Sequence, residues 1–250
     1  MKATITLRTV AILATAASMV SCATLSPPTK LEIEPQADAV LKAMSNKLAT
    51  AERFSFKAVR TIDPDLVDGS KVKQRARVAV DVARPNKFRG QTHDSESTRV
   101  MIYDGSELLV WDKSADVYAS VAAPPTIDKA IDQIDEMWGV HPPLADLLVA
   151  DPYHSLTGGE GTAKLVGTNR VNGVACDHVS ATQAGIDWDI WIAKSDSLPR
   201  KFVITLTDRP GNPQVVGELS DWNLAPQFPA GHFEPRAGKN STKIEMIPMN

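Results

Sequence analysis

Two cysteines in 250 residues, Cys22 and Cys176, cannot build the dense disulfide framework that replaces a core in small secreted domains. Neither sign of charge dominates. Against 27 Lys and Arg stand 30 Asp and Glu, which leaves no basic footprint for nucleic acid. After residue 21 no apolar run approaches the roughly 20 residues that cross a ~30 Å hydrocarbon core. The body of the chain is therefore expected to face water and to be stabilised by burial, which a 43% hydrophobic content can supply. Catalytic signatures are missing as well. There is no G-x-S-x-G, no H-E-x-x-H, no dinucleotide fingerprint and no repeat of fixed length.

What is present begins at the N-terminus. Lys2 and Arg8 accompany an apolar stretch from Val10 to Val20, too short for a bilayer and of the size of a secretory h-region. Met19-Val20-Ser21-Cys22 resembles a bacterial lipoprotein signal. The resemblance implies removal of residues 1–21, lipidation of Cys22 and a membrane tether through that lipid. Ordinary signal-peptidase cleavage at Ser21-Cys22-Ala23 is the alternative. Several acyl chains on one residue hold a membrane firmly where one does not, and the absence of Asp after Cys22 implies, by the same resemblance, the outer membrane. Residues 22–35, with Pro27-Pro28, are expected to be a tether. Losing residues 1–21 takes the formal charge from −3 to −5 and, with Cys22 modified, leaves Cys176 without an intramolecular partner.

Periodicity organises the rest. Ala37, Val40, Leu41, Met44 and Leu48 recur at helix spacing within 36–51. From Phe54 the period becomes two, clearest in 71–83, where Val72, Ala76, Val78, Val80 and Val82 share one face. Lys71, Lys73, Arg75 and Arg77 share the other, either as a solvated face or as a contact for anionic headgroups. Strands are expected over 54–62, 71–83, 87–91, 98–103, 108–113 and 117–122. A further five are expected over 163–171, 174–182, 186–193, 201–208 and 214–223, with Asn172-Gly173 as a two-residue hairpin turn. Between the two sets, Thr126 caps a helix striped by Ile127, Ile131, Ile134 and Trp138 and stopped at Gly139. Pro142-Pro143 starts a shorter helical piece carrying Leu144, Leu147 and Leu148. Open edges on so many antiparallel strands invite aggregation, so the sheet must curl or be covered. The expected fold is mainly β with helices (α+β): a curved antiparallel half-barrel of about 10–11 strands, lidded by the N-terminal helix and the central insertion. It forms a single domain over 36–235 with an irregular C-terminal tail over 236–250.

That order of elements resembles the LolA/LolB lipoprotein-carrier fold, in which a half-open barrel lidded by helices cradles acyl chains. Four stretches also resemble an uncharacterised family of predicted periplasmic proteins, a domain of unknown function thought to share that fold. They are Tyr103-Asp104-Gly105, Val171 to His178, Ile186 to Ile192, and Leu198-Pro199-Arg200-Lys201. The resemblance spans roughly 36–235 and implies a fold, while the family carries no assigned activity.

The candidate chemistry is sparse. Cys176 and His178 share one face of a strand and Asp177 the other, so the three cannot converge, and the remaining histidines are too scattered to complete a metal site. No catalytic residue, metal or cofactor is expected, and the 158–162 glycine loop lacks the residues of a phosphate loop. The stronger lead is apolar. Trp111, Ile131, Ile134, Met137, Trp138, Leu144, Leu147, Leu148, Trp188, Ile190 and Ile192 are expected either to line a hydrophobic-ligand cavity or to fill an ordinary core. Trp191 belongs to the same group of aromatics. If the cavity is open, the function is non-enzymatic binding of a lipid or a lipoprotein acyl chain on the periplasm-facing side of an envelope membrane. Gly139 and Pro142-Pro143 would then form the hinge of the lid. The alternative is a periplasmic sensor or protein-interaction module that contacts an envelope protein partner without bound lipid.

Overall fold

The computed structural model describes residues 30–66, 71–139, 142 and 144–246. The expected signal segment, Cys22, most of the expected tether, the expected turn at Asp68-Gly69, His141 and Pro143 lie outside the described residues, as does the side chain of Trp138.

Strand β1 (Leu31–Ile33) leads into helix α1 (Pro35–Ala49). A first meander follows: β2 (Arg53–Ile62), β3 (Gln74–Ala83), β4 (Lys87–His93), β5 (Thr98–Tyr103), β6 (Glu107–Asp112) and β7 (Val117–Ala122). The helical insertion holds α2 (Ile127–Trp138), a 3-10 turn (Ala145–Leu147) and α3 (Pro152–Thr157). A second meander comprises β8 (Gly161–Val171), β9 (Val174–Gln183), β10 (Ile186–Ala193), β11 (Pro199–Leu206) and β12 (Gln214–Asn223), and a two-residue β13 (Thr242–Lys243) ends the order.

The two meanders become one sheet because β12 pairs antiparallel with β2, giving the order β1-β8-β9-β10-β11-β12-β2-β3-β4-β5-β6-β7-β13. Laid flat at ~4.8 Å per strand, thirteen strands would spread over roughly 60 Å. Yet one buried cluster joins Tyr103 on β5, Phe54 and Phe56 on β2 and Trp188 on β10 to Leu41, Ile131 and Leu147 from the helical segments. Three short helices can reach all of these only if the sheet curves around them. The α+β half-barrel with a helical lid is therefore the fold of this chain.

The local reasons are those of the sequence. On α1, Ala37, Leu41, Met44 and Leu48 are buried against the concave face. Thr126 Oγ1 accepts from Lys129 N at 3.4 Å, and Gly139 ends α2 in the left-handed conformation at φ 59°. Asn172 and Gly173, at φ 48° and 84°, turn β8 into β9 as a two-residue hairpin.

Three differences stand out. The tether is shorter than expected, since Leu31–Ile33 pair parallel with Gly161–Ala163 and cover the edge of β8. The tail packs: Ala237 lies against a small cluster of Val100, Ile102 and Leu109, and Thr242–Lys243 pair parallel with Val117–Tyr118. Both additions blunt sheet edges that would otherwise present unpaired backbone groups, and they raise the strand count from eleven to thirteen among the described residues. Finally, α3 occupies residues for which no element was expected. Asp151 caps it by accepting from His154 N at 3.0 Å, with Pro152 in its first turn.

Candidate functional site

The helical insertion does not fill the concave face. Two apolar cavities remain beneath it. The first, about 200 Å³, lies between the 3-10 turn, α3 and the second meander, with Leu147, Leu156, Ile186, Trp188, Ile190, Phe202 and Ile204 among its walls. The second, about 250 Å³, lies between α2 and the first meander, lined by Val78, Val80, Phe88, Met101, Val110, Ile131, Ile134 and Leu148. Leu144 lines both. It holds φ 76°, ψ −2°, a left-handed backbone that bulky residues seldom adopt, while its side chain is buried. A larger hollow of about 430 Å³ lies between Arg53, Lys87 and the segment Phe228–Glu234, but charged and polar groups share its walls.

Strand alternation sets these walls. On β2, Phe54, Phe56 and Ala58 point inward, and Phe56 stacks on Trp222 with ring centroids 4.5 Å apart. On β4 the inward residue between Phe88 and Thr92 is Gly90, and a Cβ built there would meet nothing within 4 Å, so the missing side chain is part of the second cavity. On β12 the reverse holds. Gly217 sits under the Phe202 ring, and an added Cβ would come within 1.9 Å of that ring. One glycine makes space and the other makes room for an aromatic wall.

Polar groups hold the lid. Arg84 donates from Nη1 to Leu148 O at 2.7 Å while its guanidinium lies 5.4 Å from the Phe54 ring centroid. Burial pushes its pKa down, with Asp128 opposing. Tyr153 on α3 donates to Asp38 on α1 at 2.5 Å, which pushes the phenol up to about 12, and Tyr153 N donates to Ser45 Oγ at 3.0 Å. Trp188 Nε1 donates to Gln183 Oε1 at 3.0 Å, which satisfies the only polar atom of that buried ring.

The expected site residues divide. Leu144, Leu147, Trp188 and Ile190 line the first cavity, and Ile131, Ile134, Leu144 and Leu148 the second. Ile192 is buried in the main cluster, and Met137 sits in the last turn of α2, where its sulfur receives a contact from Gln133 Nε2 at 3.3 Å. Trp111 faces the other side of the sheet with Val100, Ile102 and Leu109, its ring covered by the tail and by Lys113. Trp191 is also on the convex side, stacked on His178 at 4.1 Å. The alternation of β6 cannot separate inside from outside, because the tail gives that strand apolar cover on both faces. Met101, expected beside the aromatics along the concavity, lines the second cavity, whereas sequence reasoning missed Arg60, Phe88, Gly90 and Phe202. Arg60 had a signal: it occupies the inward position after Phe54, Phe56 and Ala58, where an apolar residue belongs.

The Cys176-Asp177-His178 stretch does not assemble a nucleophile. Cys176 is fully buried, and burial pushes its thiol pKa up. Its Sγ is 3.4 Å from Val174 O, whereas His178 Nε2 pairs with Asp189 Oδ1 at 2.7 Å, and Asp177 pairs with Lys194 at 2.7 Å. Among the described residues no group of three or more His, Cys, Asp and Glu could hold a metal ion, and no helix is long and apolar enough to cross a membrane.

Solved structures of similar fold share little sequence with this chain. LprF from Mycobacterium bovis is 14% identical, with 85% of this chain and 100% of that one covered and a TM-score of 0.45. A putative outer membrane lipoprotein-sorting protein domain from Vibrio parahaemolyticus is 8% identical, with 79% and 95% covered and a TM-score of 0.36. A LolA-superfamily protein from Nitrosomonas europaea is 12% identical, with 77% and 96% covered and a TM-score of 0.32. No curated protein matches the chain. The sequence model of the DUF2092 family, described as a predicted periplasmic protein, matches residues 37–247, and the chain belongs to that family.

Proposed function

We propose that this chain is a non-enzymatic envelope protein that takes the acyl chain of a lipid or lipoprotein into the paired cavities beneath its helices. The observation that carries the proposal is the unfilled apolar space itself, walled by aliphatic and aromatic side chains of both meanders, with Leu144 lining both cavities. Each cavity is smaller than the ~300–1,000 Å³ of ordinary small-molecule sites, and the two joined fall within that range. A hydrocarbon needs no directional partners there and gains ~0.8 kcal/mol per buried methylene. Displacement of Leu144, which lines both and holds a left-handed backbone costing about 1–3 kcal/mol, is the proposed route to joining the cavities.

In this account residues 1–21 are removed on export, Cys22 carries the lipid and residues 22–30 are the spacer that holds the domain at the outer membrane. Residues 31–246 act as one folded unit, because the main buried cluster draws on both meanders and the helices. Mass spectrometry of lipids extracted from protein purified out of its own envelope tests this reading. Stoichiometric acyl-chain lipid is the expected result. A stoichiometric protein partner with no co-purifying lipid would overturn it in favour of a protein-interaction module.

A further inference from the structure

We propose that Arg60 forms an anion site at one end of the second cavity, and that the occupant is a single-chain long-chain carboxylate. The inference rests on the acyl-binding reading and names its ligand. Arg60 lies on the inward face of β2, opposite Ala76 on β3, and lines the same cavity as Val80, Phe88 and Ile131. Its Nε is buried and has no hydrogen-bond partner. A guanidinium donor withdrawn from water without a partner is destabilising, and the other buried unpartnered guanidinium atoms, those of Arg84, belong to a side chain already bonded to the lid. Burial pushes the Arg60 pKa down, consistent with a poorly solvated cation.

The surrounding charges select the ligand. Arg99 lines the cavity too, but its Nε donates to Asp112 Oδ2 at 3.1 Å, so its charge is matched. Asp94 attracts Arg60 at longer range, while its own oxygens accept from Glu96 N, Ser97 N and Ser97 Oγ. Arg60 therefore brings to the cavity wall a cation with an unpartnered donor, and a carboxylate presents one negative charge and two oxygens that a guanidinium matches. The hydrocarbon then runs from Arg60 past Val80 and Met101 toward Leu144 and the first cavity.

Delipidated protein titrated with a fluorescent polyene fatty acid and with its methyl ester tests the site. The acid is expected to bind about 10- to 100-fold tighter than the ester, the range of a hydrogen bond to a charged group. Arg60→Met is expected to erase that preference while the ester still binds. Equal affinity of the wild type for acid and ester overturns the anion site and leaves acyl binding standing, and that comparison decides even if the variant fails to fold. Saturable binding of neither probe overturns the acyl-binding reading and this inference with it. A preference that survives in folded Arg60→Met assigns the anion elsewhere and overturns the role of Arg60.

Discussion

At the residue scale, two glycines divide the labour of the concave wall. Gly217 lies beneath the Phe202 ring, and a side chain there would have to occupy the ring's volume. Gly217→Val is expected to cost about 1–3 kcal/mol, as overpacking does, read as a lower urea midpoint with an unchanged slope. A second prediction concerns Tyr153, whose phenol is held near 12 by its bond to Asp38. A raised folded-state pKa gives stability that is fully present below the unfolded value, ~10, and is lost as pH climbs through the folded value. The wild type should therefore exceed Tyr153→Phe by about 1 kcal/mol at pH 8, and the gap should close between pH ~10 and about 12 in denaturant melts. A gap that persists above pH 12 would contradict the Asp38–Tyr153 link. Arg60 teaches the complementary lesson: its place after Phe54, Phe56 and Ala58 was visible in the sequence, but only the structure showed that those three pack into the core while Arg60 lines the second cavity.

At the element scale, the long strands and capped helices were legible because each carries its own signal. The alternation in β3, the Asn172-Gly173 turn, and Thr126 with Gly139 at the ends of α2 act within a few residues of themselves. What was not legible depends on partners far away. β1 and β13 have three and two residues, too few for a period, and exist because the edges of β8 and β7 lacked neighbours. Trp111 was placed on the wrong face for the same reason, since the tail that covers it arrives some 125 residues later. The α3 helix had a readable start in Asp151-Pro152 but only six residues, so packing of Tyr153 against α1 rather than propensity sustains it. Thr126→Ala should cost α2 about 0.5–1 kcal/mol, the lower part of the range for caps given the 3.4 Å bond, measurable as a reduced thermal midpoint.

At the scale of the whole molecule, the feature that leaves the fold incomplete as a core is the one on which the proposed acyl binding rests. A well-packed interior leaves few voids larger than a water molecule, yet here a strand glycine opens onto empty space and a leucine in a strained conformation lines two cavities. The central claim is that this space receives a hydrocarbon chain. Gly90 is the position from which a side chain can be grown into the space, because a Cβ there meets nothing within 4 Å. The direct measurement is a paired titration of delipidated wild type and Gly90→Leu with a fluorescent fatty acid, alongside their thermal midpoints. The account predicts saturable binding by the wild type, at least tenfold weaker binding by Gly90→Leu, and a midpoint for the variant no lower than that of the wild type. Undiminished binding in a folded Gly90→Leu, or no saturable binding by the wild type, would contradict it.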